Sequence, residues 1–335
     1  QKTLFQEKKT IIENCLFGVD INPNSVKICR LRLWIELLKN AYYKTPTELE
    51  TLPNIDINIK SGNSLLSRFA LDTDLKTTLK KTNISISDYK EAFHKYQNAE
   101  SKEQKWDLEH FIDKVKHNFR TEISSNSREV KELQALKYEY FLKYESPQLF
   151  NEELTAEQEK HKKQLALNIQ KKETEIEAIN SNKIYENAFE WRFEFPQVLD
   201  NEGNYIGFDV VIGNPPYIQL QNDGGKLAKL YEGQNFKTFA RTGDIYCLFY
   251  EKAHQLLREG GICNFITSNK WMRAGYGEAI RKFLIEYTNP LILIDFTGIK
   301  IFETATVDVN ILLYAKEKST FNTLACIVKD KELKE

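Results

Sequence analysis

Four consecutive residues, Asn214-Pro215-Pro216-Tyr217, combine an amide, two prolines and an aromatic ring. The Asn214 side-chain oxygen and the Pro215 carbonyl are two acceptors, and the prolines form a rigid turn because each has a fixed φ and lacks an N–H. Two acceptors that bind both N–H hydrogens of a nucleobase amine would localise the lone pair of its nitrogen. Tyr217 offers a flat face to a base swung out of its helix. The tetrad therefore suits methyl transfer to that nitrogen, with the proton lost after the attack.

The tetrad follows a short apolar run of mainly β-branched type, Phe208 to Ile212. Such a run predicts a buried strand of a parallel sheet. Ligands of open α/β sheets bind at the carboxyl ends of the strands, which is where the tetrad would lie. The alternative is a proline-rich turn after a strand, with no chemical role.

The run and the tetrad together, GFDVVIGNPPY, resemble the γ-group amino-methyltransferases of DNA. The resemblance is in particular to the large adenine-N6 enzymes found alone, in phage-defence systems or fused to nucleases in type IIG restriction–modification proteins. It covers about residues 14–66 and 186–315. It implies an α/β fold with a Rossmann-like, S-adenosylmethionine-dependent methyltransferase sheet. It also implies that Asn214, Pro215, Pro216 and Tyr217 are catalytic. An asparagine at the head of the tetrad favours adenine over cytosine.

A second feature is an acidic residue after an earlier apolar run, which predicts a strand ending at Asp20. In a nucleotide-binding sheet, an acid at that place accepts hydrogen bonds from ribose hydroxyls, although an isolated Asp after a strand is more often a turn or cap residue. The resemblance implies that Asp20 binds the ribose of S-adenosylmethionine and that Ile21 packs on its adenine. It implies further cofactor contacts by Asn63, Leu65 and Asn214.

The position of Asn63 departs from the family pattern, because the family usually carries an acid there. An amide still accepts a hydrogen bond from the cofactor's adenine but brings no charge, and an ordinary Gly-Asn turn is the alternative. The resemblance also implies that Phe302 covers the face of the flipped adenine opposite Tyr217. A phenylalanine in a loop is otherwise a hydrophobic plug.

The residues after the tetrad form a polar segment, Gln219 to Thr242, that contains four basic residues. We expect this segment to be mobile without DNA and to contact phosphates. In the resembled family, the helix that follows begins beside cofactor and base, which makes Asp244 and Tyr246 secondary site candidates. Asp244 is alternatively a helix cap.

The remaining core elements are predicted from hydrophobic pattern and turn residues. A helix over Ser25 to Leu38 should bury Cys29, and Asn54 to Lys60 should be a strand. The alternating segment 188–196 is expected along the sheet. Three more strands are predicted, of which the last should be antiparallel at the sheet edge (262–266, 291–295 and 306–314).

Residues 70–183 lack glycine and are rich in Lys, Glu, Gln and Asn, which predicts a helical, partly coiled-coil-like insertion. It is either an arm that touches DNA or another domain, or a solvated hairpin with its own thin core. Mixed charges at helical spacing favour the hairpin. The predicted domains are therefore a catalytic core (1–69 and 184–316), this insertion, and the start of a truncated following region (317–335).

Composition sets the broad class of the protein. Of 335 residues, 41% are apolar and 28% charged, which is typical of a soluble globular protein. The sequence has no apolar run of membrane length and no signal peptide, so we expect a cytoplasmic protein without membrane contact. Five cysteines without a CxxC pair predict reduced, mostly buried thiols. The net charge of −1 does not by itself indicate DNA binding, although a sum can hide a basic patch.

The resemblance implies double-stranded DNA as the substrate, with a nuclease and a target-recognition domain fused or associated outside this chain. The glycine-rich cofactor loop that the family places before Asp20 is not found in residues 1–17. We therefore expect a fragment whose sheet lacks its first strand, with weak or no cofactor binding and activity alone. The alternatives are a non-catalytic DNA-binding or scaffold module of a defence complex, and a methyltransferase of RNA or protein glutamine.

Overall fold

A computed structural model of the chain describes residues 2–71, 84–125, 128–145, 155–181, 187–302 and 307–329. The chain divides into two compact units. The N-terminal unit comprises residues 1–197 and 201–204, and the C-terminal unit comprises residues 198–200 and 205–335. Among the described residues, no helix is both long enough and apolar enough to cross a membrane.

The N-terminal unit is mainly helical. Its helices are α1 (Lys2–Asn14), α2 (Pro23–Leu38), α3 (Ile86–Gln97), α4 (Lys102–Ser125), α5 (Arg128–Tyr144), α6 (Ala156–Ser181) and the short α7 (Trp191–Glu194). Its strands are β1 (Gly18–Asp20), β2 (Tyr43–Thr45), β3 (Glu48–Leu49) and β4 (Ile59–Ser61). Strands β1 and β4 pair in parallel, and β2 and β3 form a separate antiparallel pair.

Helix α2 begins with a side-chain cap, two residues before the predicted start at Ser25. The Asn22 side chain accepts a hydrogen bond from the Asn24 N–H at 2.9 Å, and Pro23 occupies the first helical position, where no N–H is needed. The predicted burial of Cys29 is wrong, because that side is exposed. The neighbouring Arg30 points inward instead and donates to the Ile59 carbonyl.

Two predictions about extended segments in this unit are partly wrong. The predicted strand over Asn54 to Lys60 is a 3₁₀ turn at Ile55–Ile57 followed by the short β4. The alternating apolar pattern does not distinguish a strand from this 3₁₀ turn, because the turn buries Ile55 and Ile57 just as a strand would bury them. The segment 188–196 makes one parallel bridge, between Asn63 and Ala188, and then turns into α7.

The predicted insertion divides into two parts. Helices α3 and α4 share a core with the rest of the N-terminal unit: the rings of Phe119 and Phe193 lie 5.5 Å apart, and the Tyr89 hydroxyl donates to the Phe193 carbonyl at 2.6 Å. The prediction of a hairpin with its own thin core is therefore wrong for these helices. It describes α5 and α6 better, since they pair through ion pairs at the surface such as Lys137–Glu173.

A buried triad of charges joins α4 to the strand β4. The Glu194 carboxylate lies 2.8 Å from the ammonium of Lys60 and 2.8 Å from that of Lys116. Burial opposes ionisation of Glu194, but the two ammonium charges outweigh it and hold its pKa at about 2. Burial lowers the pKa of Lys60 to about 8, against the attraction of Glu194. Glu194 therefore has a structural role in the N-terminal unit.

The C-terminal unit is an α/β structure with one mixed sheet. Its helices are α8 (Asn222–Glu232), α9 (Tyr246–Leu256) and α10 (Glu278–Tyr287). Its strands are β5 (Phe208–Gly213), β6 (Leu257–Ser268), β7 (Asn289–Asp295), β8 (Val309–Ala315) and β9 (Leu324–Ile327). The strand order is β5-β6-β8-β7-β9, in which β5 and β6 are parallel and β8 is antiparallel to both of its neighbours. The predicted α/β class and the antiparallel direction of β8 are confirmed, but its predicted place at the sheet edge is wrong, because β8 lies between β6 and β7.

The strand before the tetrad is less buried than its sequence suggests. Strand β5 is the outer strand of the described sheet, and its Val210 and Ile212 side chains are 57% and 75% exposed. Val211 points to the opposite face and packs on the core between the sheet and α9. The predicted burial of the strand is therefore wrong for the face that carries Val210 and Ile212, which no side chains of the described core cover.

The polar segment after the tetrad is folded, contrary to the predicted mobile loop. Helix α8 buries Ala228 and Tyr231. Further along, the Glu251 carboxylate accepts hydrogen bonds from both the backbone N–H and the hydroxyl of Thr238. The apolar residues of the segment 219–242 are few and widely spaced, so no pattern in the sequence indicated that they would be buried together.

The cysteines also differ from the expectation of mostly buried thiols. Cys15, Cys29 and Cys326 are exposed, and Cys247 and Cys263 are buried. All five are free. The exposed ones lie at the end of α1, on the outer side of α2 and on the edge strand β9, so apolar sequence neighbours were a poor guide to burial.

Candidate functional site

The tetrad lies at the carboxyl end of β5, as predicted. Gly213 ends the strand beside the ring of Phe265, and a Cβ at this position would come within 3.2 Å of that ring. A side chain here would require the Phe265 ring to shift by a few tenths of an ångström, which favours a glycine where β5 and β6 approach closely. This packing fixes where the chain leaves the sheet and where Asn214 begins the tetrad.

The two predicted acceptors differ in how they are occupied. The Tyr217 hydroxyl donates to Asn214 Oδ1 at 2.9 Å and lies 3.5 Å from the Ile266 carbonyl. A carbonyl oxygen has two lone pairs, so Asn214 Oδ1 keeps acceptor capacity toward solvent. The Pro215 carbonyl accepts no hydrogen bond within the described part of the chain. Burial raises the pKa of Tyr217, which keeps its hydroxyl protonated as a donor.

The two predicted aromatic residues lie on the same apolar cluster. This cluster is formed by Phe296, Ile299 and Val309, and both Tyr217 and Phe302 are half-buried against it. The structure thus brings together two rings that are 85 positions apart in the sequence. Tyr217 and Phe302 therefore pack against the same cluster of Phe296, Ile299 and Val309. Positions 303–306, next to Phe302, lie outside the described residues.

The secondary candidates Asp244 and Tyr246 belong to a hydrogen-bonded group with a residue that the sequence did not indicate, Tyr276. The Tyr246 ring meets the Tyr217 ring edge-to-face at 6.1 Å. The hydroxyls of Tyr246 and Tyr276 are 2.9 Å apart, and the Tyr276 hydroxyl donates to Asp244 Oδ2 at 2.7 Å. Asp244 is not a helix cap, since α9 begins without a side-chain cap. The only sequence signal at Tyr276 is an aromatic residue between two glycines.

The predicted cofactor residues of the N-terminal unit lie at the carboxyl ends of β1 and β4. Asp20 pairs with Ser61 across the parallel strands, and its carbonyl accepts the Gly62 N–H at 3.0 Å. The Asp20 side chain is exposed and accepts the Asn22 N–H at 2.7 Å. Ile21 is 67% exposed, an unusual exposure for an isoleucine directly after a strand.

Asn63 and Leu65 follow β4 and are less accessible. Asn63 Oδ1 accepts the Leu65 N–H at 3.1 Å, which closes a local turn. The Leu65 side chain is only 2% exposed and packs inside the N-terminal unit. The structure therefore brings Asp20, Ile21 and Asn63 to neighbouring strand ends and leaves Leu65 in the core beneath them.

Comparison with known proteins identifies the family. A family model described as the Eco57I restriction-modification methylase matches residues 14–302, which is most of the chain. The chain belongs to this family. The membership confirms the resemblance to type II restriction–modification methyltransferases that the tetrad and its strand indicated.

Individual relatives match different shares of the chain. A protein of Methanocaldococcus jannaschii, described as a candidate type II restriction enzyme and methyltransferase, is 26% identical over 80% of this chain and 23% of its own length. The type II methyltransferase M.BanIII of Aneurinibacillus aneurinilyticus is 34% identical over 34% of this chain and 21% of its own length. The chain thus spans less than a quarter of the length of these relatives. A type I restriction–modification methyltransferase subunit of Streptococcus thermophilus aligns at 18% identity over 36% of this chain and 26% of its own, with a TM-score of 0.30, which is too low to bear on the fold.

Proposed function

We propose that this chain is the catalytic core of a DNA methyltransferase that transfers a methyl group from S-adenosylmethionine to the N6 amine of an adenine flipped out of the duplex. The observation that carries the proposal is the acceptor pair of Asn214 and Pro215 beside Tyr217 and Phe302, which share one apolar cluster. Membership in the Eco57I restriction-modification methylase family supports the same reaction class.

In the proposed reaction, the tetrad acts on the amine of the base. Asn214 Oδ1 and the Pro215 carbonyl accept its two N–H hydrogens, which localises the nitrogen lone pair for attack. Pro216 keeps the turn rigid, so these acceptors are in place before the base arrives. No side chain of the tetrad has to remove a proton first, because the amine becomes strongly acidic once it is alkylated.

The aromatic residues hold the base. Tyr217 stacks on one face of the adenine and Phe302 covers the other, and a base stacked on an aromatic side chain gains about 1–3 kcal/mol. Both rings are half-buried against the cluster of Phe296, Ile299 and Val309, which limits their freedom before binding. A preorganised pair of rings lowers the entropic cost of ordering the flipped base.

The ends of β1 and β4 fit the nucleoside part of S-adenosylmethionine. The exposed carboxylate of Asp20 suits ribose hydroxyls, the exposed Ile21 suits a flat apolar ring, and the Asn63 amide suits the adenine amino group. Leu65 supports this turn from the core. When bound, the cofactor supplies an electrophilic methyl group on a sulfonium.

The proposed organisation extends to fold and partners. The order of β5, β6, β8 and β7, with β8 antiparallel, supports a Rossmann-like methyltransferase sheet. We propose residues 1–69 and 184–316 as the catalytic core, with the helical region 70–183 inserted. We also propose double-stranded DNA as the substrate and a nuclease and target-recognition domain elsewhere in the parent protein or its complex.

The decisive experiment uses the complete native polypeptide with S-adenosylmethionine labelled in its methyl group and bacterial genomic DNA that lacks adenine methylation. We expect label in DNA and N6-methyladenine after digestion and mass spectrometry. Asn214→Ala should lower the rate by at least about 10²-fold, as removing one preorganised transition-state contact does. The exposed Asn322→Ala, in the same unit, should leave it unchanged.

Other products would contradict specific parts of the proposal. N4-methylcytosine in place of N6-methyladenine would overturn the choice of base. Label in RNA or protein alone would overturn DNA as the substrate. No methylation by the wild type, together with retained DNA binding, would favour a scaffold module over an enzyme.

A further inference from the structure

The ring of Tyr217 contacts the ring of Tyr246, which belongs to a hydrogen-bonded group outside the tetrad. We propose that Tyr276 is a positioning residue for the base site, acting through Tyr246 on the ring of Tyr217. This inference rests on the proposed function, since it concerns the ring on which the flipped base stacks. The family resemblance assigned no role to Tyr276.

The hydrogen bonds of this group have a defined direction. The Tyr276 hydroxyl donates its single proton to Asp244 Oδ2 at 2.7 Å. The Tyr246 hydroxyl, 2.9 Å away, therefore donates to the Tyr276 oxygen. Tyr246 is completely buried and Asp244 is 6% exposed, so water does not compete for these bonds as it would at the surface.

The segment that carries Asp244 pairs with the segment that directly follows the tetrad. Gln219 and Asp244 form an antiparallel bridge, and the Ile245 N–H donates to the Ile218 carbonyl at 2.9 Å. The segment that contains Asp244 is thus paired with the residues that follow Tyr217. The acid that orients Tyr276 and the ring that Tyr246 contacts therefore lie on two segments that are paired with each other.

Tyr276 is half-buried against the core cluster that contains Tyr246 and Tyr250, so its hydrogen bonds act together with packing. One side of its ring approaches Gly243, where a Cβ would come within 3.3 Å of the ring. Its other surroundings include an open cavity of about 560 Å³, whose lining also contains Lys237, Lys282 and Phe283. A ring that borders a cavity has fewer contacts to fix it. Removing the hydroxyl should therefore loosen Tyr276 without removing a packed side chain.

The consequence for the base site is geometric. The rings of Tyr246 and Tyr217 meet edge-to-face with their centroids 6.1 Å apart, an arrangement favoured by the charge distribution of aromatic rings. If Tyr246 loses its acceptor, it tilts and the Tyr217 ring loses this support. The base is then held less often with its amine aligned for attack. This slows the methyl transfer but leaves cofactor binding unchanged.

Kinetic measurements on the complete native polypeptide test this role. With labelled S-adenosylmethionine and unmethylated genomic DNA, Tyr276→Phe should lower kcat by about threefold to tenfold, the effect of one buried hydrogen bond, with KM for the cofactor unchanged.

Variants of the hydrogen-bond partners of Tyr276 test the same group. Asp244→Asn keeps an acceptor and should retain most of the rate, whereas Asp244→Ala should resemble Tyr276→Phe. The double variant Tyr246→Phe/Tyr276→Phe should lose no more than Tyr276→Phe alone, because both changes break one group.

Tyr314→Phe is the matched control, since it removes a buried hydroxyl that donates to the Tyr250 carbonyl at 2.6 Å in the same unit. It should leave kcat unchanged after correction for folded protein. Equal losses in Tyr276→Phe and Tyr314→Phe, or additive losses in the double variant, would overturn the positioning role.

A second readout is independent of activity. In protein labelled with 3-fluorotyrosine, the fluorine resonance of Tyr217, assigned with Tyr217→Phe, should shift or broaden in Tyr276→Phe and stay in place in Tyr314→Phe. An unchanged Tyr217 resonance in Tyr276→Phe would refute the inference. A changed resonance in a protein whose wild type does not methylate DNA would refute the proposed function and leave the positioning of Tyr217 intact.

Discussion

The Tyr217 hydroxyl donates a hydrogen bond to the side-chain oxygen of Asn214 at 2.9 Å. This is the oxygen to which we assign one hydrogen of the adenine amine. In this geometry Oδ1 is the end of the Asn214 amide that the hydroxyl contacts, whereas a rotated amide would present its NH₂ group to the substrate instead. Tyr217 therefore has two roles in the proposed site, one through its ring and one through its hydroxyl.

Replacing Tyr217 separates these roles. Tyr217→Phe keeps the ring but releases the Asn214 amide, and we expect kcat to fall by about threefold to tenfold, as for one lost hydrogen bond. Tyr217→Ala removes the stacking face as well and should cost a further factor of about 5–150 in kcat/KM for DNA. Methylation rates across a range of DNA concentrations measure both. A Tyr217→Phe variant with wild-type kcat would show that the hydroxyl does not orient the amide.

Phe302 provides a test of the second aromatic face. Phe302→Ala should reduce kcat/KM for DNA by about 5–150-fold, because one base–aromatic stacking contact is lost. Stability should change less than for a core phenylalanine, since Phe302 is only half-buried. Methylation kinetics and thermal unfolding of the same preparation separate the two effects.

The matched control for this variant is Phe321→Ala. Phe321 is a phenylalanine of the same unit that is 81% exposed and lies outside the cluster of Phe296, Ile299 and Val309. Its replacement should affect neither rate nor stability. Similar kinetic losses in both variants would indicate a general effect of removing surface phenylalanines and would contradict a specific role for Phe302.

The charged triad predicts how the stability of the N-terminal unit depends on pH. The folded pKa of Glu194 is about 2, below its ordinary value of 4.5, so its contribution is complete above pH 4.5 and is lost as the pH falls toward 2. Glu194→Gln leaves two buried ammonium groups without their anion and should lower the free energy of unfolding at pH 7 by about 3–5 kcal/mol. Urea unfolding followed from pH 7 to pH 2 measures the difference.

An exposed ion pair provides the control for the triad. The Glu91–Lys95 pair has a similar distance of 2.8 Å, but about 60% of each side chain is exposed. Glu91→Gln should cause no measurable change, because water and salt screen such a pair. If the stability difference between wild type and Glu194→Gln stays constant down to pH 2, the triad does not act through the charge of Glu194.

Gly207, which precedes β5, is a position where adding even a methyl group should destabilise the fold. Its φ is +89°, and a Cβ there would lie 2.5 Å from the backbone nitrogen of Arg258. Gly207→Ala should destabilise the C-terminal unit by about 2–4 kcal/mol, because backbone atoms cannot move aside cheaply. Gly233→Ala is the control, with φ of −82° and open space around the new methyl group. Thermal unfolding should separate the two variants clearly, and equal melting temperatures would contradict the strain at Gly207.

The sequence by itself determined the features that depend on near neighbours. The strand that leads to Asn214 formed as expected, and Asn22 and Thr155 cap their helices through residues two or three positions away. Each of these involves hydrogen bonds or steric limits within a few residues, so residue types and spacing carry the information. The tetrad was recognisable for the same reason, since its acceptors and ring are consecutive.

The tertiary structure alone decided what lies far apart in the chain. Tyr276 joins Asp244 across 32 positions, and Lys60 meets Glu194 across 134 positions, and no local pattern marks either pair. The exposure of Ile212 was likewise invisible, because an apolar run states that burial is favourable and does not state which neighbours are available to provide it. Contacts of this kind depend on how whole elements pack, and that is settled only when the chain is folded.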